Sequence, residues 1–164
     1  NKHNPTARNM LLSFSGMLRY QLYDCNSNFI SVDKEMNYIK DYVAIQQARK
    51  EGRLKVCLTI GDNMTGFFIS PLLFIAFIEN AFKYVSEHEE KENKVVIAFE
   101  RTDNELLFYC RNTREPGIGA VAGHKGIGIS NARRRMALLY PGRHTLDLKD
   151  NEHMYEVTVK LQLS

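Results

Sequence analysis

Apolar side chains recur with a helical period at Met10, Phe14, Met17, Leu18 and Leu22, so the spacing predicts a helix over residues 6–24. Asn26, Ser27 and Asn28 interrupt it. Ser31 or Asp33 can cap a second helix reaching Lys50, with Met36, Ile39, Val43 and Ala44 on its inner face and Gly52 at its end. The period then changes. Leu54, Val56, Leu58 and Ile60 alternate with Lys55, Cys57 and Thr59, the pattern of a half-buried strand. Lys94 to Phe99 and Glu105 to Cys110 read as two more strands joined at the turn-favouring pair Asp103 and Asn104. Leu146 to Leu148 and the row Tyr155, Val157, Val159, Leu161 and Leu163 supply the last strands. Glu156, Thr158, Lys160 and Gln162 alternate with that row, so one sheet face is wet or only partly covered. Helices against one face of a mixed sheet give an α+β chain built as a two-layer α/β sandwich.

Between these strands lies a segment with no solvated face, Leu72 to Ile78, which predicts a buried helix. Ser70 can cap it and Pro71 suits its first turn. Glu79 and Asn80 then fall where polar groups need partners. Asn80, Lys83 and Tyr84 put an amide, an ammonium and an aromatic ring along one helical face. An amide oxygen can coordinate Mg²⁺ and a lysine can meet phosphate oxygens, so this face suits a metal-bound nucleotide. A buried helix whose polar end simply emerges into water fits the same residues.

Gly126, Ile127, Gly128, Ile129, Ser130 and Asn131 lead into the helical stretch 132–140. Free N–H groups at such a helix start form an anion site. The motif lacks the Gly-Lys-Ser/Thr of a P-loop and the full dinucleotide-binding fingerprint. From 112 to 125 the chain is rich in Gly, Pro and Ala, including Gly117, Gly119 and Gly123, and predicts a loop of the kind that closes over ligands. A surface loop without function is the alternative.

Composition narrows the function classes. A length of 164 residues suits one domain with a sizeable core plus an appended helix. The net charge of +3, with 25% charged residues, is too mild to imply nucleic acid. Cys25, Cys57 and Cys110 are widely spaced, which suggests neither a disulfide framework nor a zinc site. No secretory signal is present, and the apolar run from Phe67 to Phe77 is too short to span a bilayer.

Taken in order, Ile78-Glu79-Asn80-Ala81-Phe82-Lys83 and Gly126-Ile127-Gly128-Ile129-Ser130-Asn131 resemble the N box and G box of the Bergerat-fold (GHKL) ATPases. Leu18-Arg19-Tyr20-Gln21-Leu22-Tyr23 upstream, and the run from Arg135 to Pro141 downstream, are similar to the LytS/YehU-type sensor histidine kinases. The resemblance implies a Bergerat fold with a mixed, mostly antiparallel sheet over residues 29–164. Residues 1–28 would be the end of a dimerisation and phosphotransfer region. It implies ATP and Mg²⁺ as cofactors, with Asn80 holding the metal and Lys83 neutralising phosphate. Tyr84 would pack near the nucleotide, while Gly126, Gly128, Ile129 and Asn131 would frame the phosphate turn. Glu79 would be the catalytic residue, positioning a water or the incoming nucleophile. Segment 112–125 would be the ATP lid. The implied partners are a response regulator and a second copy paired through 6–24. The implied setting is the cytoplasmic part of an inner-membrane sensor whose membrane segments lie upstream.

Two features depart from the family. Its usual Asp-x-Gly-x-Gly, whose carboxylate accepts from the adenine amine, is replaced by Asn112-Thr113-Arg114-Glu115-Pro116-Gly117. An asparagine oxygen can still accept from that amine, although its NH₂ end can also face the ligand. The family's Pro-His-Phe phosphoacceptor context is also absent. His3 precedes Asn-Pro-Thr, and His88, His144 and His153 read as loop or surface residues. His124 lies in the lid segment, within reach of phosphate. The chain alone is therefore expected not to autophosphorylate. A non-catalytic signalling module with a degenerate nucleotide site is the alternative, motivated by Asn112.

Overall fold

The computed structural model describes residues 5–50, 52–88, 92–115 and 127–163. Helix α1, Pro5–Arg19, continues into a π-helical turn, Tyr20–Asp24, closed by the Cys25 N–H donating to the Tyr20 carbonyl at 3.2 Å. Strand β1, Ile30–Ser31, leads into α2, Val32–Arg49, and then β2, Lys55–Ile60. Strand β3, Phe68–Ile69, pairs antiparallel with β1 and precedes α3, Ile75–Lys83. The rest is β4, Lys94–Thr102; β5, Glu105–Thr113; α4, Ile127–Leu139; β6, His144–Asp150; and β7, Met154–Gln162.

Five strands form one sheet in the order β2-β4-β5-β7-β6. Only β2 and β4 run parallel; the other pairs are antiparallel. The two-layer expectation holds, with the register setting side chains in rows across the buried face. Phe99, Phe108 and Val159 form one row, Ile97, Cys110 and Val157 the next, and Val95, Asn112 and Tyr155 the last. Helix α3 lies over these rows, and Phe74 meets the rings of Phe99 and Phe108 at 5.3 and 4.8 Å. Burying each such ring contributes on the order of 1.5–3 kcal/mol. The three cysteines are free thiols, and Cys110 is buried.

Two expectations need correction. Helix α3 starts at Ile75, so Ser70 and Pro71 do not open it; residues 71–74 form turns and bends, with Leu72 at φ 55°. Fixing a leucine there costs about 1–2 kcal/mol, so tertiary partners must hold the turn. They do: the Leu72 N–H donates to Glu35 Oε2 at 3.0 Å. The Ser70 N–H donates to the Tyr140 hydroxyl at 2.9 Å. Arg135 donates to the Ser70 hydroxyl at 2.7 Å and the Pro71 carbonyl at 2.8 Å. Second, Ala44 is exposed on α2, while Glu35 is fully buried on the inner face. The apolar stripe of α1, by contrast, is left largely uncovered, as pairing through 6–24 would need. Phe14 and Leu18 remain 53% and 41% exposed, and the chain turns inward only at Tyr20.

Candidate functional site

The site is built at the C-terminal end of α3. Glu79 is exposed and Asn80 half-buried, so the acid is not sunk in the core as expected. Protein around the Glu79 carboxyl still desolvates it enough to raise its pKa, and Tyr38 and Tyr42 of α2 feel its charge. Lys83 is exposed, with its ammonium 5.0 Å from the Tyr84 ring centre. Tyr84 ends the helix, its N–H donating to the Asn80 carbonyl at 3.1 Å.

Asn112 is fully buried beneath this helix end. Its NH₂ donates to the carbonyls of Tyr84 at 3.2 Å and Thr113 at 2.9 Å, and its Oδ1 accepts nothing. This arrangement accounts for an amide where the family has a carboxylate. A carboxylate has no proton to give those two carbonyls, whereas the amide satisfies both and still presents an acceptor.

Two neighbours share the feature of a buried polar atom without a partner. Tyr155 stands opposite Asn112 in the β5–β7 register, and burial raises its pKa. The Asn80 side chain lies near enough to oppose that rise, but no hydrogen bond of acceptable geometry reaches the Tyr155 hydroxyl, which stays unpaired. Arg114 is buried, ion-paired to Asp150, and stacked 5.2 Å from the Tyr155 ring and 5.6 Å from the Tyr84 ring; its Nε is unpaired. Among the described residues only four buried side-chain polar atoms lack a partner, and Asn112 Oδ1, Tyr155 Oη and Arg114 Nε are three of them. Native interiors rarely leave such atoms unpaired, and three on neighbouring residues make this region the candidate for a ligand.

Helix α4 closes the other side. A side-chain carbon added to Gly128 would meet the Ala76 methyl at 3.5 Å, so the first turn of α4 abuts α3 one turn before Asn80. Ile129 is buried and anchors that turn, while Gly128 and Asn131 are exposed. Gly126, the lid glycines and His124 lie outside the described residues. Arg133 and Arg134 are exposed, whereas Arg135 is occupied by Ser70 and Pro71 rather than free for an anion. Among the described residues no group of three or more His, Cys, Asp or Glu side chains is placed to hold a metal. A cleft of about 1060 Å³ opens just past the end of α3, lined by Val85 and Ser86 with Arg49, Lys50, Arg53 and Lys55. Lys50 and Lys55 there are already paired with Glu87 and Glu92, so it is a solvated ion-pair surface.

Sequence reasoning missed Arg114 and Tyr155. The buried row Leu106, Phe108, Cys110 and Asn112 was readable by alternation, and its odd member was the signal.

Comparison with known proteins points to sensor histidine kinases. A family model described as histidine kinase matches residues 1–54. The sensor protein LytS of Staphylococcus haemolyticus is 27% identical over 157 residues, covering 89% of this chain and 27% of that protein. The sensor histidine kinase/phosphatase LytS of Staphylococcus aureus is 27% identical over 92 residues, covering 56% of this chain and 16% of that protein. This chain is similar in sequence to the LytS sensor histidine kinases. It spans about a quarter of the length of the LytS relatives it matches most fully. The histidine kinase domain of Erythrobacter litoralis EL346 superposes with a TM-score of 0.61 at 13% identity, covering 98% of this chain and 80% of that one. The catalytic domain of the histidine kinase ThkA, in a nucleotide-free form, gives 0.59 at 13% identity, covering 83% and 98%. The chain thus shares the fold of these domains.

Proposed function

We propose that this chain is the ATP-binding catalytic part of a two-component sensor, with residues 29–164 as the catalytic domain and 1–28 as the end of a dimerisation region. The observation that carries the reading is that three neighbouring buried residues at the end of α3, Asn112, Tyr155 and Arg114, each keep an unpaired polar atom, with the start of α4 packed against the same helix. Asn112 Oδ1 accepts from the adenine amine, and the Tyr155 hydroxyl lies beside it on the next strand. The Asn80 amide oxygen is a hard donor suited to Mg²⁺, which when bound neutralises phosphate charge. Lys83 and the free N–H groups of the first α4 turn, with Gly126 and Gly128, receive phosphate oxygens. Glu79, exposed and with its pKa raised by partial desolvation, is the group that orients the incoming nucleophile. Phosphoryl transfer needs chiefly position and charge neutralisation, which this inventory supplies.

In the longer protein the phosphate passes to a histidine and then to a response regulator. The apolar side chains left exposed on α1 and the turn after it, Leu11, Leu12, Phe14 and Leu22, support pairing with a second copy. Among the described residues no helix is long and apolar enough to cross a membrane, and the reading places this part on the cytoplasmic side of a membrane sensor. The test is calorimetric titration with Mg-ATP. Binding that needs magnesium and is lost in Asn80→Ala is expected; equal binding by wild type and variant contradicts the reading.

A further inference from the structure

The fourth unpaired atom, Glu35 Oε1, lies at the opposite end of α3, in a polar chain that the nucleotide reading does not use. Glu35 is fully buried on α2, and its other oxygen, Oε2, takes two donors. One is the Tyr20 hydroxyl, from the first residue of the π-helical turn that ends α1. The other is the Leu72 N–H, in the left-handed turn that launches α3. Tyr20 is itself buried and stacks 4.6 Å from the Tyr38 ring, whose hydroxyl accepts from Gln21 at 2.9 Å. Arg135 of α4 grips the same turn from the far side through Ser70 and Pro71.

One carboxylate oxygen thus joins three segments that are remote in sequence. Two facts mark the joint as more than packing. The ordinary α-helical ladder is broken at Tyr20, because a π turn displaces the residues after it relative to an unbroken helix, and such turns accompany functional sites. Leu72 holds a conformation that leucine rarely adopts, stabilised by that same oxygen. Asn80 is on the helix this turn begins. If the π turn regularises, Tyr20 rotates off the Glu35 carboxylate and the Leu72 amide loses a neighbour that fixes its acceptor.

We propose that Tyr20 and Glu35 are positioning residues that couple the posture of α1 to the presentation of Asn80, through the Leu72 amide. This rests on the reading of Asn80 as a nucleotide ligand, but the coupling has its own readout. The experiment is residue-resolved amide hydrogen exchange on the 164-residue chain, with Mg-ATP titration alongside, for Tyr20→Phe, Glu35→Gln and Glu35→Ala. Tyr20→Phe removes one hydroxyl and should speed exchange at Leu72, Leu73 and along α3 by roughly three- to tenfold, the worth of one hydrogen bond. The amides of β4 and β5 should keep their wild-type protection, and Mg-ATP should bind more weakly by a similar factor. Glu35→Gln keeps an oxygen for both donors and should retain most of the protection that Glu35→Ala loses.

Unchanged exchange at Leu72 in Tyr20→Phe overturns the proposal. So does uniform acceleration that includes β4 and β5, which marks a merely structural contact. Faster exchange at the turn with unaltered ATP affinity overturns it too, because the turn then moves without moving the site. If the wild-type chain binds no Mg-ATP, the nucleotide reading fails by itself, and exchange along α3 still decides the coupling.

Discussion

The two ends of α3 are built on opposite principles. At its start almost every polar group in the turn is matched. The Ser70 hydroxyl and N–H, the Pro71 carbonyl and the Leu72 N–H all have partners, drawn from Glu35, Arg135 and Tyr140. At its end Asn112, Tyr155 and Arg114 are buried with an unpaired atom each. A matched cluster holds a chain in a costly conformation; an unmatched one holds donors and acceptors ready for a molecule yet to arrive. The comparison teaches where to look for a ligand: among the described residues, three at the end of α3 keep an unpaired buried atom, against the single Glu35 Oε1 at its start. The cleft of about 1060 Å³ begins at Val85 and Ser86, just past the end of α3, but its lysines are already paired.

Substitutions break or sharpen this contrast. The largest effect on stability belongs at the start. Glu35→Ala strands the Tyr20 hydroxyl and the Leu72 amide and should destabilise the fold by about 2–4 kcal/mol in denaturant titration. Next comes Asn112→Asp, where an acceptor-only side chain faces the carbonyls of Tyr84 and Thr113; about 1–3 kcal/mol should be lost near neutral pH. A smaller effect is a slope with pH. Burial raises the Glu35 pKa above the usual carboxylate range, so the folded state binds its proton more readily than the unfolded chain. Its contribution is therefore full below the ordinary glutamate range and is lost as pH rises through the raised folded value. Glu35→Gln should flatten that stretch of the stability profile, and an identical profile would contradict it. The smallest belongs at the open end. Tyr155→Phe removes an unpaired hydroxyl, so stability should change by less than about 1 kcal/mol while Mg-ATP affinity falls. A large stability loss there would show that the hydroxyl is scaffold.

Periodicity made the sheet legible: β4, β5 and β7 fall where their alternations put them, because one face of each is buried. The juxtaposition of Asn80 with the α4 start was also readable from motif order. The beginning of α3 was not. Leu72 to Ile78 is apolar whether helical or not, and what stops the helix before Ile75 is a set of partners distant in sequence, Glu35, Arg135 and Tyr140. Glu35 draws no notice in the sequence, and only the fold shows it buried. Arg114 and Tyr155 escaped notice because an unpaired atom is a property of the packed molecule, not of a residue type.

The central claim is that a nucleotide lies between the end of α3 and the start of α4. A crystal of the chain soaked with Mg²⁺ and a non-hydrolysable ATP analogue tests it most directly. The adenine amine should lie within hydrogen-bonding distance of Asn112 Oδ1, with the metal on the Asn80 amide oxygen and phosphates at the first turn of α4. A nucleotide seated instead in the cleft beside Arg49 and Arg53, with Asn80 and Asn112 untouched, would contradict it.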